Sequence, residues 1–146
     1  MDKFQIYLCG AMGGLTFDES NKWREEARLY FTTHEDNKVI CINPNDYYNF
    51  KTPTHKSEHE VKEFDLYKLR HSNLILANLD YINTSIGSAM ELQVAHDNNI
   101  PVITFGDIIN IHPWIVDTIW RNEDNLDDAC DYIMNYFLYE NAVFSR

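Results

Sequence analysis

Two acidic residues in this chain sit in contexts that suit catalysis. Glu91 closes the segment Ser85-Ile86-Gly87-Ser88-Ala89-Met90-Glu91, a small-residue turn that runs into a helix predicted over 88–98. That places the carboxylate in the first turn of the helix, where backbone amides point outward and an anionic side chain can attack a bound substrate as a nucleophile. A competing reading is the capping box Ser88-x-x-Glu91, in which the glutamate only reaches back to the backbone of the cap residue. Asp65 is the second acid. On a helix predicted over 57–71 it falls between Val61, Phe64 and Leu69, inside the apolar arc, where ionisation is costly and a carboxyl can work as a general acid. The alternative is a helix edge at which Asp65 meets Arg70, Lys62 or solvent.

Other polar clusters carry less. His55 and His59 are spaced i, i+4 beside Glu58, Glu60 and Glu63, a spacing that can hold a metal but is better explained as a solvated face. No metal site is expected. Cys9, Cys41 and Cys130 each lie in apolar stretches, where a free thiol packs as a small hydrophobe, and three thiols give no disulfide framework. The run Glu123, Asp124, Asp127, Asp128 reads as a helix start complementing its dipole.

The surrounding pattern is an alternation of strands and helices. Phe4 to Cys9 reads as a first strand, and Gly10-Ala11-Met12-Gly13-Gly14-Leu15 as a flexible turn that brings backbone amides close to a ligand. Thr16 to Glu19 opens a helix whose face carries Trp23, Ala27, Tyr30 and Phe31. Val39 to Asn43 is a second strand stopped by Pro44, and Asn45 to Ser57 a long polar loop able to cover a pocket. Asn73 to Leu79 is a third strand, and Val102 to Phe105, after Pro101, a fourth. Beyond Gly106 the pattern weakens: His112-Pro113-Trp114 suits a short helix, a fifth strand is left open, and Leu126, Ala129, Cys130, Ile133 and Phe137 stripe a last helix from about Asp124. The alternation predicts a doubly wound parallel sheet of four to five strands with helices on both faces. Ligand sites in such sheets lie at the carboxyl ends of the strands.

At 146 residues the chain is expected to form one domain, 1–146, without linker or repeat. A net charge of −11 argues against nucleic acid or anionic membrane as partners. No apolar run spans a bilayer and no signal segment is seen, so a cytoplasmic protein is expected. The Gly10–Gly14 loop lacks G-x-G-x-x-G, and no G-K-[ST] follows it. An NAD or ATP enzyme is therefore disfavoured, and no cofactor is expected.

Ile6-Tyr7-Leu8-Cys9-Gly10-Ala11-Met12-Gly13-Gly14, Phe64-Asp65-Leu66 and Ser85-Ile86-Gly87-Ser88-Ala89-Met90-Glu91-Leu92, in that order and with 26 residues from Asp65 to Glu91, resemble the nucleoside 2-deoxyribosyltransferase family. The likeness covers about the first 105 residues. It implies a flavodoxin-like fold in which Glu91 attacks C1′ of a 2′-deoxynucleoside, Tyr7 holds the carboxylate, and Asp65 assists the departing base. A second base would then take the sugar.

The resemblance further implies that Gly10, Ala11, Met12, Gly13, Ser85 and Gly87 bind substrate, and that subunits of a homo-oligomer share their sites, with His112-Pro113-Trp114 as the contributed segment. Related N-glycosidases act on 2′-deoxynucleoside 5′-monophosphates and resemble this chain at Ser85, where transferases often carry an acid. The loop from Gly10 to Thr16, however, has no arginine for the phosphate. A non-catalytic nucleotide-binding domain, with Glu91 as a cap, is the rival from another class.

Overall fold

The computed structural model describes residues 3–35, 38–48 and 52–138. Five strands, β1 (Phe4–Cys9), β2 (Val39–Ile42), β3 (Leu74–Asn78), β4 (Val102–Phe105) and β5 (Arg121–Glu123), form one sheet in the order β2-β1-β3-β4-β5. All four neighbouring pairs are parallel. Helices α1 (Phe17–Glu35), α2 (Glu58–Arg70), α3 (Ile86–Asp97), α4 (Pro113–Val116) and α5 (Leu126–Ile133) complete the doubly wound α/β architecture of the flavodoxin-like class.

The period of two along β1 sorts its side chains onto opposite faces. Ile6 and Leu8 pack with Trp23, Ala27 and Phe31 of α1 and with Ala129, Cys130 and Ile133 of α5. Tyr7 and Cys9 point the other way, into the cluster that holds Leu69 of α2 and Leu92 and Ala95 of α3. Because β1 lies between β2 and β3, the chain leaves it toward one edge through α1 and returns on its other side through α2. The reversal of strand order between β1 and β3 opens a crevice at their carboxyl ends.

Several predicted boundaries move, each for a local reason. A 3₁₀ turn over Ile82–Thr84, entered through Tyr81 in the left-handed region (φ 62°), delivers the chain to α3 at Ile86, two residues before the predicted start. Ser88 is thus inside the helix, Gly87 is helical rather than part of a turn, and Glu91 lies in the second turn. The capping box forms elsewhere, at the start of α1: the Thr16 amide donates to Glu19 Oε1 at 2.8 Å and the Glu19 amide to Thr16 Oγ1 at 3.1 Å.

The fifth strand carries no apolar signal. Its residues are held by pairing with β4 and by Asn122, which accepts from Thr104 Oγ1 at 2.7 Å and donates to the Gly106 carbonyl at 3.1 Å. Asn125 caps α5, accepting from the Asp128 amide at 2.9 Å, so Glu123 belongs to β5 while Asp127 and Asp128 occupy the first helical turn. Phe137 of the predicted stripe falls in a π-helical turn, Met134–Leu138. Among the described residues no helix is long and apolar enough to cross a membrane, and no group of three or more metal-ligating side chains occurs.

Candidate active site

A pocket of about 580 Å³ opens at the carboxyl ends of β1 and β3. The loop after β1 forms one wall, α2 a second, and the 3₁₀ turn with the first turns of α3 a third. Gly10, Ala11, Met12, Gly13, Asp65, Ser85, Gly87 and Glu91 all line it. Segments far apart in sequence thus bring eight predicted site residues onto one cavity.

Glu91 opens partly onto the pocket, yet protein closely surrounds its carboxylate. The buried Tyr7 hydroxyl donates to Oε2, and the Cys9 thiol lies 3.6 Å from Oε1. Both donors come from the same face of β1, as their two-residue spacing requires. Burial pushes the Glu91 carboxyl up to about 7, a rise that Asp65 reinforces, and the hydrogen bonds from Tyr7 and Cys9 together with the Arg24 charge oppose it. Burial also raises Tyr7 and Cys9 well above their ordinary values, with Glu91 adding to the rise in each. Both therefore remain protonated donors near neutrality, and Cys9 is no thiolate nucleophile.

Asp65 projects from α2 into the same cavity. Its partner is none of those weighed from the sequence: the Tyr48 hydroxyl, from the loop after β2, lies 2.6 Å from Oδ1. Burial raises the Asp65 carboxyl, opposed by the Tyr48 hydrogen bond and by Arg24.

Arg24 is the least expected member. Only 1% of its surface is exposed. Its Nε donates to the Leu8 carbonyl at 3.3 Å, Nη2 to the Gly10 carbonyl at 2.9 Å, and Nη1 to the Ser20 carbonyl. The guanidinium thereby grips the end of β1 and the start of the pocket loop, and sets a buried positive charge behind the two acids. A Cβ on Gly10 would come within 2.9 Å of Trp23 Cζ2, so only glycine lets the loop pass this close to α1.

Ser85 Oγ donates to Ser88 Oγ at 2.7 Å across the start of α3. His59 and Lys62, together with Glu58, line the α2 wall. His55 does not join His59; its ring meets that of Tyr48 edge-on at 5.4 Å. His112 stands outside the pocket of its own chain. Its Nδ1 accepts from the Trp114 amide at 3.1 Å as the cap of α4, and its amide donates to Asn83 Oδ1 at 2.8 Å. Trp114 beside it is 82% exposed and Trp120 61%.

Sequence reasoning missed Cys9, Arg24 and Tyr48. Cys9 carried a signal, because it alternates with Tyr7 on one strand. So did Arg24, three residues before Ala27 and seven before Phe31 on the buried helix face. Tyr48 carried none, since an irregular loop has no period from which to infer where a side chain points.

No family model matches the chain, and neither does any curated protein. Among solved structures, a conserved protein from Enterococcus faecalis V583 is 17% identical, covering 90% of this chain and 97% of that one with a TM-score of 0.71. A 2-deoxyribosyltransferase from Bacillus psychrosaccharolyticus is 21% identical, covering 88% of this chain and 91% of that one with a TM-score of 0.66. At these identities the likeness is one of fold.

Proposed function

We propose that this protein cleaves the N-glycosidic bond of 2′-deoxynucleosides through Glu91 and transfers the sugar to a second nucleobase. The observation that carries the reading is the placement of two burial-raised carboxyls, Glu91 and Asp65, on one pocket, each receiving a tyrosine hydroxyl. The solved 2-deoxyribosyltransferase with the same fold adds support.

Departure of a base from C1′ builds positive charge on the sugar, which an adjacent carboxylate stabilises and then traps as a glycosyl ester. Glu91 takes that role. Asp65 gives a proton to the leaving base, and Tyr7 and Cys9 fix the orientation of the attacking carboxylate. Gly10 to Gly13, Ser85 and Gly87 provide the walls around the substrate. The whole chain acts as one cytoplasmic domain without cofactor or metal. The exposed Trp114 and Trp120 face a second copy, which receives the His112 segment.

A second reading, hydrolysis of deoxynucleoside 5′-monophosphates, is favoured by one feature. Ser85 and Ser88 put neutral hydroxyls at the start of α3, opposite Lys62 and His59, where an anion meets no repulsion from an acid at position 85.

Incubation with deoxyadenosine or thymidine, with and without a different free base, and with the matching monophosphates, tests both readings by chromatography. A new nucleoside that forms only when the second base is present is the expected result. A preference for the monophosphate above about tenfold in kcat/KM, on the order of 1.4 kcal/mol, would replace transfer with hydrolysis. Binding without any cleavage would reduce Glu91 to a structural role.

A further inference from the structure

Tyr48 reaches Asp65 from an irregular loop, and among the described residues its hydroxyl has Asp65 Oδ1 at 2.6 Å and the Val61 carbonyl at 3.3 Å as acceptors. Both acceptors belong to α2, one turn apart. A neutral carboxyl that carries its proton on Oδ2 still offers Oδ1 as an acceptor, so the Tyr48 hydroxyl can donate to Asp65 in either charge state.

We infer that Tyr48 is a positioning residue that holds Asp65 Oδ1 by its hydroxyl proton in both charge states, leaving Oδ2 to lose and regain the proton that the reaction exchanges. The inference rests on the glycosyl chemistry proposed above, which obliges Asp65 to change state twice. In the first half the C1′–N bond breaks, C1′ bonds to a Glu91 oxygen, and the Asp65 proton passes to the departing base, which leaves as the neutral N–H heterocycle. Asp65 is then a carboxylate and accepts from Tyr48. In the second half the acceptor base bonds to C1′ through nitrogen, the ester C–O bond breaks, and the acceptor's proton returns to Asp65. The tyrosine proton stays directed at Oδ1, and the regained proton occupies Oδ2.

The groups around Asp65 are consistent with two accessible states. Tyr47 and Tyr48 approach from the loop, Tyr7 from β1 and Arg24 from α1, while Glu91 faces it from α3 and Glu58, His59 and Lys62 line the pocket on its own helix. Burial favours the neutral carboxyl, and Arg24 and the Tyr48 donor favour the ion.

Tyr48→Phe tests the inference with two substrates. On deoxyadenosine, whose base must be protonated to leave, kcat should fall about tenfold with KM within about twofold. On N7-methyl-2′-deoxyguanosine, whose base departs neutral without a proton, the change should stay below about twofold. In an Asp65→Asn background the second substitution should add nothing, and the Asp65 carboxyl, followed by carbon NMR, should titrate at higher pH in Tyr48→Phe than in the wild type. Equal slowing of both substrates, or an unmoved Asp65 titration, would overturn the inference. Should the wild type cleave neither nucleoside, the glycosyl reading alone falls. The Asp65 titration would still decide whether Tyr48 governs its charge.

Discussion

Tyr7 and Tyr48 each give a hydroxyl to a pocket acid, but from different kinds of support. Tyr7 is 1% exposed on a central strand, and its partner Glu91 receives a second donor, Cys9, from the same strand. Behind them Arg24, on α1, ties the helix to the end of β1 through the Leu8 and Gly10 carbonyls. Tyr48 is only half-buried on a loop, and the helix carrying its partner Asp65 shows little buried surface beyond Leu66 and Leu69. The deep side is over-determined and the rim is not. In the proposed chemistry this division suits the two roles, because a nucleophile must be held to a fraction of an ångström, whereas an acid that becomes a base must accommodate a change of charge.

Glu91→Gln presses hardest on the deep side. Turnover should fall by about 10⁴-fold or more with the fold intact, because an amide cannot form the glycosyl ester. Stability should move the other way. With a folded value of about 7 against an ordinary 4.5, Glu91 binds more protons folded than unfolded between those limits, so wild-type stability falls as pH rises through that window. The Glu91 share of this fall is about 3 kcal/mol, and Glu91→Gln should remove it. Thermal melts should then coincide near pH 4 and favour the variant at pH 8. Equal melts at pH 8 would mean that the carboxylate is not held against desolvation.

Arg24→Met ranks next. It leaves carbonyls at the end of β1 without their donor and should cost about 2–4 kcal/mol in urea unfolding, with the slope unchanged. A loss below about 0.5 kcal/mol would show that the clamp is dispensable. The smallest effect is expected at the rim. Ser57 accepts from the Glu60 amide at 3.1 Å as the cap of α2, and Ser57→Ala should cost about 1 kcal/mol. Turnover should change by less than about twofold; a larger loss would place Asp65 under the same tight constraint as Glu91 and erase the contrast.

How far the sequence could be read follows the same division. The alternation of β1 and the buried run of β3 marked the sheet, and glycines and serines after the strands marked the pocket walls, because periodicity and turn chemistry are local properties. Glu91 was visible as a carboxylate near a helix start, although the helix begins two residues earlier than its pattern indicates. That left-handed entry at Tyr81 depends on where the preceding turn must go. β5 was left open because its residues gain stability from an edge already present. Tyr48 and the Arg24 clamp depend on pairings across the fold, which no window of the chain contains.

The Tyr7–Glu91 hydrogen bond joins positions 84 apart, whereas Tyr48 and Asp65 are 17 apart. A fragment ending with α2 therefore contains both members of the rim pair but only one of the deep pair. The latter requires β1 to pair with β3 and α3 to dock, contacts of long sequence separation that form slowly. If the proposed chemistry holds, activity becomes a clock for the latest stage of folding, and during renaturation it should lag behind the return of helical signal.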